Sequence, residues 1–454
     1  MADQGSPEWW LERLHTKLMT EQLAMKRWND FYEGEHPLPV IRDKLRADFK
    51  ALLDMSKSNF CEVVIDSVEE RLNVEGFRTS GTGDVEPDTR AWEIWQANGL
   101  DLGSQMAHVE ALVKSRCPVT VWKANGDRWP RIVVEDPMEM AVAYASGDRG
   151  RRLAAVKVWK DEWSDDRRAD VWMPDAVYSF RVRGGSKGWE PWIPAGSEDN
   201  RTPHPLGVVP VVELRNRLRV NGNATSDLTP VIPSQLRVNK LLFDLMLASE
   251  VASFRQRWVT GMDIPVDEVT GQPQEPFKAA VDRLWVTENP DARFGEFDAT
   301  PLAPYIASIE QAVLHIAVQT RTPRHYLIEQ GQSPSGDAIK SAETGLTKKV
   351  GRKQRLFGEA WEEVIRLARA FDGETVAPTA ETIWADPESR SEGELVDAAV
   401  KKATLGVPTR QLWEDLGYSQ TQIARFSAMR LQDALIARLA QPAAPAPPEP
   451  GIAP

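Results

Sequence analysis

The chain has 454 residues, enough for about three domains, and its 27% charged and 42% hydrophobic residues mark a globular protein rather than a disordered one. Its 55 basic against 67 acidic groups leave a formal charge of −12, so non-specific attraction to nucleic acid phosphate is not its default behaviour. Two cysteines, Cys61 and Cys117, exclude a disulfide scaffold or a cysteine-built metal site.

Met1–Trp10 lacks the basic flank and apolar core of a secretory signal. The most apolar segment, 236–254, carries Arg237, Lys240, Asp244 and Glu250 and is not expected to span a bilayer. A helix is predicted over 8–35 from Trp10, Leu14, Leu18, Met25, Trp28 and Phe31, ending near Gly34 before Pro37 and Pro39. Further helices are expected over 41–53 and 60–72, the latter with Val64, Val68 and Leu72 on one face. A loop follows at 80–87, then helices at 88–96 and 102–114.

From 116 to 214 the period changes to two. Runs at 119–121, 132–134, 140–144, 154–159, 171–173, 177–182 and 208–214 read as short strands. Asn125-Gly126, Gly147-Asp148 and Gly184-Gly185 mark turns, which predicts an antiparallel meander. Pro174 and Pro210 point to edges or bulges, and 184–205 reads as an exposed loop. Nine of the 17 tryptophans fall between Trp92 and Trp192, most simply as packing residues.

Residues 229–258 read as one long helix, about 45 Å at the usual rise, with Leu241, Leu242, Phe243, Leu245, Met246 and Leu247 making it apolar nearly all round. An irregular block at 260–298 follows, with a short helix near 277–283. A helix at 301–320 carries a narrow seam of Leu302, Ile306, Ile309, Val313, Ile316 and Thr320, and Pro323 ends it. The loop 328–336 leads into a helix over 337–371, striped by Ile339, Ala342, Leu346, Val350, Phe357, Trp361, Val364, Ala368 and Phe371. Gly345, Gly351 and Gly358 interrupt it, which suggests a bend or a close backbone approach. Three helices complete the chain, with capping boxes at Ser391 and Ser419 and stops at Gly406 and Gly417. A Pro/Ala-rich tail covers 442–454.

No catalytic constellation emerges. Gly331 and Gly336 have Walker A spacing, but Asp337 stands where a phosphate-pairing lysine belongs, which disfavours a nucleotide-driven motor. Pro334 argues against a nucleophile elbow at Ser333. The histidines show no metal-ligand spacing, and His315 reads as packed or hydrogen-bonded. One basic cluster stands out: Lys340, Lys348, Lys349, Arg352, Lys353 and Arg355. Lys348, Arg352 and Arg355 share a helical face, read either as a solvated or inter-subunit surface or as one facing phosphate.

Taken in order, several motifs resemble those of a family. They are Phe31-Tyr-Glu-Gly-Glu-His-Pro-Leu-Pro39, Asn59, Asp66, Glu70-Arg-Leu-Asn-Val-Glu-Gly-Phe77, Ile94-Trp-Gln-Ala-Asn98, Leu206-Gly-Val-Val-Pro-Val-Val212, Thr322-Pro323, Ser333-Pro-Ser-Gly-Asp-Ala338 and Phe357-Gly-Glu-Ala-Trp361. Across about 8–440 the chain resembles the tailed-phage portal proteins of siphoviruses that infect actinobacteria.

The resemblance implies an α+β, mostly helical portal fold: wing (1–228), first stem helix (229–259), clip (260–298), second stem helix (299–327), tunnel loop (328–336), long wing helix (337–372) and crown (373–441). It implies a ring, usually of twelve copies, at one capsid vertex, assembled in the host cytoplasm, through which double-stranded DNA passes in both directions. The partners implied are the terminase large subunit, a head-completion adaptor, and the major capsid and scaffolding proteins. No enzyme activity, cofactor, metal or membrane is implied.

DNA is expected to pass Glu329, Gln330, Gly331, Gln332, Ser333 and Ser335, a loop without Lys or Arg. Lys340, Lys348, Arg352 and Arg355 offer a DNA or inter-subunit face. Phe277, Arg283 and Trp285 in the clip would meet terminase or adaptor, or simply pack between subunits. Another head–tail connector or capsid-attached adaptor is the alternative, disfavoured by the paired stem helices.

Overall fold

The computed structural model describes residues 2–40, 49–78, 88–124, 126–184, 186, 188–194, 196, 198–253, 257–261, 290–298, 300–328, 335–388, 392–418 and 420–439. About half of them are helical and thirteen strands occur among them, so the class is mixed α+β. The chain divides into two units: Met1–Lys26, Ile65–Ser226 and Pro334–Pro454 form the first, Arg27–Val64 and Asp227–Ser333 the second.

In the first unit, α1 (Pro7–Tyr32) starts where the Ser6 hydroxyl accepts the Trp9 N–H at 3.2 Å. Leu11, Leu14 and Leu18 are buried against one face of a six-stranded antiparallel sheet. Its consecutive strands are β4 (Met140–Tyr144), β5 (Arg152–Lys160), β6 (Arg167–Trp172) and β7 (Ala176–Val182). The short β8 (Glu190–Pro191) and β9 (Arg201–Pro203) both pair with β7. Period-two alternation sends Ala154, Val156, Val158, Ala169, Val171 and Phe180 toward α1. Ala155, Trp172 and Val177 go to the other face, where they meet Val209 and Val211.

The expected single meander is therefore two sheets. The second holds β10 (Val211–Arg215), β2 (Arg116–Trp122) and β3 (Arg131–Val134) in that order. Pro210 lies just before β10, an edge strand, where its carbonyl accepts the Val121 N–H at 2.9 Å and its missing N–H costs no ladder bond. Pro174 lies in the turn between β6 and β7. The strand expected at 171–173 begins at Arg167, because β7 supplies ladder partners for its charged end. The stretch 184–205, read as loop, contributes β8 and β9.

The helix expected over 60–72 is α3 (Phe60–Glu69), and it gives way to β1 (Val74–Arg78). Its antiparallel partner is β13 (Glu381–Trp384), with Phe77 opposite Thr382, so the run expected to be all helix after residue 373 includes a strand. Between these lie α4 (Thr89–Ala97), capped by Asp88 accepting the Ala91 N–H at 3.0 Å, and α5 (Leu100–Lys114). The C-terminal helices are α10 (Glu392–Thr404), α11 (Thr409–Asp415) and α12 (Gln420–Leu439). Gly406 and Gly417 follow the first two with φ of +84° and +81°, the left-handed stop expected of them.

The second unit holds α2 (Lys50–Met55), α6 (Ile232–Ser253), α7 (Ala303–Thr320) and the single turn α8 (Arg324–Leu327). The long helix expected to run to residue 258 stops at Ser253. Trp258 and Val259 instead belong to β11 (Arg257–Thr260), paired antiparallel with β12 (Arg293–Glu296). Gly295 lets the Trp258 ring lie across the strand, since a Cβ there would come within 2.3 Å of it. α7 ends at Arg321, whose φ is +59°, two residues before Pro323, which caps α8. Of the sequence expectations, residues 41–48, the loop at 80–87, the short helix near 277–283, the serines at 391 and 419 and the tail at 442–454 lie outside the described residues.

Candidate functional site

The long helix α9 (Gly336–Phe371) belongs to the first unit. The Ser335 hydroxyl accepts the Ala338 N–H at 3.3 Å and so opens the helix one residue before the predicted start. The stripe read from the sequence holds from Leu346 onward: Leu346, Val350, Phe357, Trp361, Val364 and Ala368 are buried, whereas Ala342 is exposed.

An aromatic box fixes this stripe. Trp361 Nε1–H donates to His108 Nε2 at 3.0 Å, and the His108 ring stacks on Phe357 at 5.4 Å and 7°. Trp95 meets Trp361 edge-on at 5.1 Å, and Trp384 of β13 closes the far side of His108. Burial holds the His108 imidazole neutral, lowering its pKa to about 3. Because Nε2 accepts, its one proton sits on Nδ1. Gly358 lets β13 come close: a Cβ there would lie 3.3 Å from Trp384 Nε1. Gly351 faces open space, so the close approach suggested for the glycines applies to Gly358 and not to Gly351.

The basic cluster divides by helix face. Lys353 is buried and donates to Asn216 Oδ1, which makes it a structural cation. Lys340 pairs with Glu394 of α10. Lys348, Arg352 and Arg355 all stay exposed on the opposite side, and among the described residues they make no ion pair. Arg71 and Glu343, 3.6 Å apart and both mostly buried, tie the first turns of α9 to the segment after α3. Of the residues predicted to pass close to DNA only Ser335 is described. Glu329, Gln330, Gly331, Gln332 and Ser333 lie outside the described residues, as do Phe277, Arg283 and Trp285.

In the second unit a buried polar clasp holds the start of α6. His36 Nε2 lies 3.0 Å from the Phe31 carbonyl, which can only accept, so Nε2 carries the proton. Nδ1 then accepts from Asn239 Nδ2 at 2.9 Å. Asn239 Oδ1 accepts the Ser58 N–H at 3.3 Å and Gln235 Nε2–H at 2.9 Å. Gln235 Oε1 accepts the Phe60 N–H at 3.0 Å, while Asn59 Nδ2 donates to the Tyr32 carbonyl at 2.7 Å. His36, Gln235 and Asn239 are buried, and burial followed by the nearby Lys57 charge lowers the His36 pKa, with the Phe31 carbonyl opposing. Sequence reading missed Gln235 and Asn239. Their signal was a pair of amides four residues apart in a greasy helix.

Beyond the clasp, α6 packs on α7. Leu241, Leu242, Leu245, Met246 and Leu247 remain only partly covered, with Phe243 the one buried residue of that run. On α7 the predicted seam is buried at Val313, Ile316 and Thr320 but open at Ile306, which is 49% exposed. His315 is exposed and hydrogen-bonded to Arg237 at 3.2 Å and Gln311 at 3.1 Å. Among the described residues no His, Cys, Asp or Glu group could hold a metal, and no helix is long and apolar enough to cross a membrane.

Comparison with known proteins gives concordant matches. The model of the family described as phage portal protein, SPP1 Gp6-like, matches residues 17–430. The portal protein of Mycobacterium phage D29 is 33% identical over 430 residues, 89% of this chain and 84% of that one. The portal protein of Mycobacterium phage L5 is 33% identical over 411 residues, 86% of this chain and 81% of that one.

Proposed function

The chain belongs to the SPP1 Gp6-like phage portal protein family, and from that premise we propose that identical copies close into a ring whose channel passes the phage genome. Portal proteins are structural components of the virion at the head–tail junction rather than catalysts, so the function to be explained is assembly and conduction.

The observation that carries the ring is the greasy middle of α6. Five apolar side chains, Leu241, Leu242, Leu245, Met246 and Leu247, are left only half-covered although α2 and α7 pack on α6, and each buried methylene contributes about 0.8 kcal/mol once a neighbour covers it. A second copy placed by rotation covers such a row without creating a new exposed one, and heterologous contacts that close give a cyclic assembly, for which we take twelve copies.

In this reading 1–228 form the wing, α6 and α7 lie in the two stem segments at 229–259 and 299–327, and 260–298 form the clip. The loop at 328–336 lines the channel, 337–372 form the helix behind it, and 373–441 form the crown. Glu329, Gln330, Gly331, Gln332, Ser333 and Ser335 would pass close to DNA. With no cation among them they would bear on the duplex without gripping it, as sliding past every sequence requires. The exposed Lys348, Arg352 and Arg355 supply a phosphate-facing or inter-subunit surface, with Lys340 engaged by Glu394 at its edge. Phe277, Arg283 and Trp285 would meet the terminase large subunit and later the head-completion adaptor, while the wing would face the major capsid and scaffolding proteins.

Native mass spectrometry with negative-stain imaging of the purified full-length chain tests the assembly. Closed rings are expected, and a chain that stays monomeric at micromolar concentration overturns it. Packaging by particles that carry the chain with a shortened 328–336 loop tests the channel assignment, which predicts altered DNA retention.

A further inference from the structure

A second concentration of positive charge lies in the first unit, away from the α9 face. Two turns bring it together. One joins β4 to β5 and carries Arg149 and Arg151. The other follows β10 and carries Arg217 and Arg219. The second turn is closed by the Gly222 N–H donating to the Arg219 carbonyl at 2.8 Å and the Arg219 N–H to the Asn223 carbonyl at 3.1 Å. Arg149 lies directly on it. A Cβ at Gly222 would come within 2.3 Å of Arg149 Nη1, so the two turns touch.

The base of this structure is rigid. Asn216 is fully buried, donates to the Thr225 carbonyl at 3.0 Å and accepts from Lys353 of α9. Next to it Arg217 adopts a left-handed φ of +48°, a conformation that costs a non-glycine residue about 1 kcal/mol or more. Arg217 itself is exposed on this turn.

What distinguishes these four arginines is their lack of carboxylates in an acidic chain. Neighbouring arginines are partnered: Arg152 with Glu363 at 2.6 Å, Arg116 with Glu21 and Glu213, and Arg215 over the Tyr144 ring at 4.4 Å. Among the described residues Arg149, Arg151, Arg217 and Arg219 are all exposed and none makes an ion pair. The acid in their midst, Asp148, is turned onto the Gly150 N–H at 3.1 Å. Like charges held together on pinned turns repel one another until an anion arrives.

We infer that the Arg149–Arg151 and Arg217–Arg219 turns form a phosphate-binding surface for double-stranded DNA, separate from the channel loop. The inference rests on the portal reading only for the identity of the polyanion. Guanidinium groups fork onto phosphate oxygens and read no base, so binding is independent of sequence and falls steeply with salt. Four phosphate contacts predict a slope of log K against log salt of about −3.6, or a loss of about 150-fold between 50 and 200 mM.

The test is binding of a fluorescent mixed-sequence duplex to purified full-length rings at several salt concentrations. R149Q/R151Q and R217Q/R219Q are each expected to flatten the slope by about 1.8 and to weaken binding at low salt. K160Q/K401Q removes two exposed cations elsewhere and is expected to change neither beyond a small uniform shift. Slopes for both arginine variants equal to wild type overturn the surface. Displacement of the duplex by polyglutamate at lower concentration than by unlabelled DNA overturns the choice of ligand in favour of an acidic polypeptide. Imaging the same samples separates the two levels: absence of rings removes the portal assembly itself, whereas intact rings with unchanged binding remove only this site.

Discussion

His108 makes the fold acid-sensitive by a predictable amount. Its ring is fully buried in the aromatic box, it accepts the Trp361 indole proton, and its pKa falls from 6.5 to about 3. Between those two values the unfolded chain binds a proton that the folded chain refuses. Stability contributed here is therefore complete above pH 6.5 and lost progressively as pH falls toward 3. At about 1.4 kcal/mol per unit, bringing the pH from 6.5 to 5 removes roughly 2 kcal/mol.

His108→Gln keeps an acceptor for Trp361 but removes the titration. At pH 7 the variant loses the stacking on Phe357, which costs about 1 kcal/mol. At pH 5 that deficit is expected to close or reverse. Urea unfolding followed by tryptophan fluorescence at pH 7, 6 and 5, at one protein concentration, gives the comparison. Burial also lowers His15, His36 and His204, and these tilt both proteins alike, so only the difference between the two counts. Parallel pH profiles for wild type and variant would show that His108 titrates normally and that the box does not exclude its charge.

Asn239→Asp is expected to invert the contribution of His36. A carboxylate oxygen facing Nδ1 favours the imidazolium, so this part of the stability becomes largest below pH 6.5 and fades as pH rises, opposite to wild type; unfolding midpoints at pH 5.5 and 7.5 with an unchanged sign would refute the proposed proton positions. Gly351→Ala is expected to stabilise the chain by about 1 kcal/mol in chemical denaturation, since its Cβ meets open space in a helix interior. Gly358→Ala should gain little, because Trp384 must give way by a few tenths of an ångström, and equal gains at both sites would contradict the close approach of β13. Glu329→Lys is expected to slow genome translocation increasingly as salt is lowered, and a packaging rate unchanged at every salt concentration would argue against a weakly gripping channel loop.

Local signals carried the sequence reading far where partners are close in the chain. β4 to β7 follow one another through short turns, so alternation and turn residues located Met140–Tyr144 to the residue. They failed where the partner is remote. β1 is a five-residue strand whose ladder partner begins at Glu381, and β2 pairs with β10 across some ninety positions, so neither pairing leaves a periodic trace. The end of α6 was misplaced for the same reason: nothing local announces that Trp258 will rest over Gly295.

The basic cluster shows the limit for function. Spacing brought Lys348, Arg352 and Arg355 together correctly, but only packing showed that Lys353, one residue along, is a buried strut under Asn216. The arginine turns went unnoticed because their members are about seventy positions apart and come together where Arg149 lies on Gly222. The Tyr32–His36 turn and Asn59 were legible as a motif, whereas their purpose, locking Asn239, required the tertiary structure.

The β11–β12 ladder places Thr260 opposite Arg293, so the intervening chain departs and returns at adjacent points on a common foundation. An excursion closed in this way can lengthen at little entropic cost, since doubling its length adds only about 0.6 kcal/mol. Insertions or exchanges within that segment therefore leave the β11–β12 ladder that closes it, and the α6–α7 pair beside it in the chain, with little added cost.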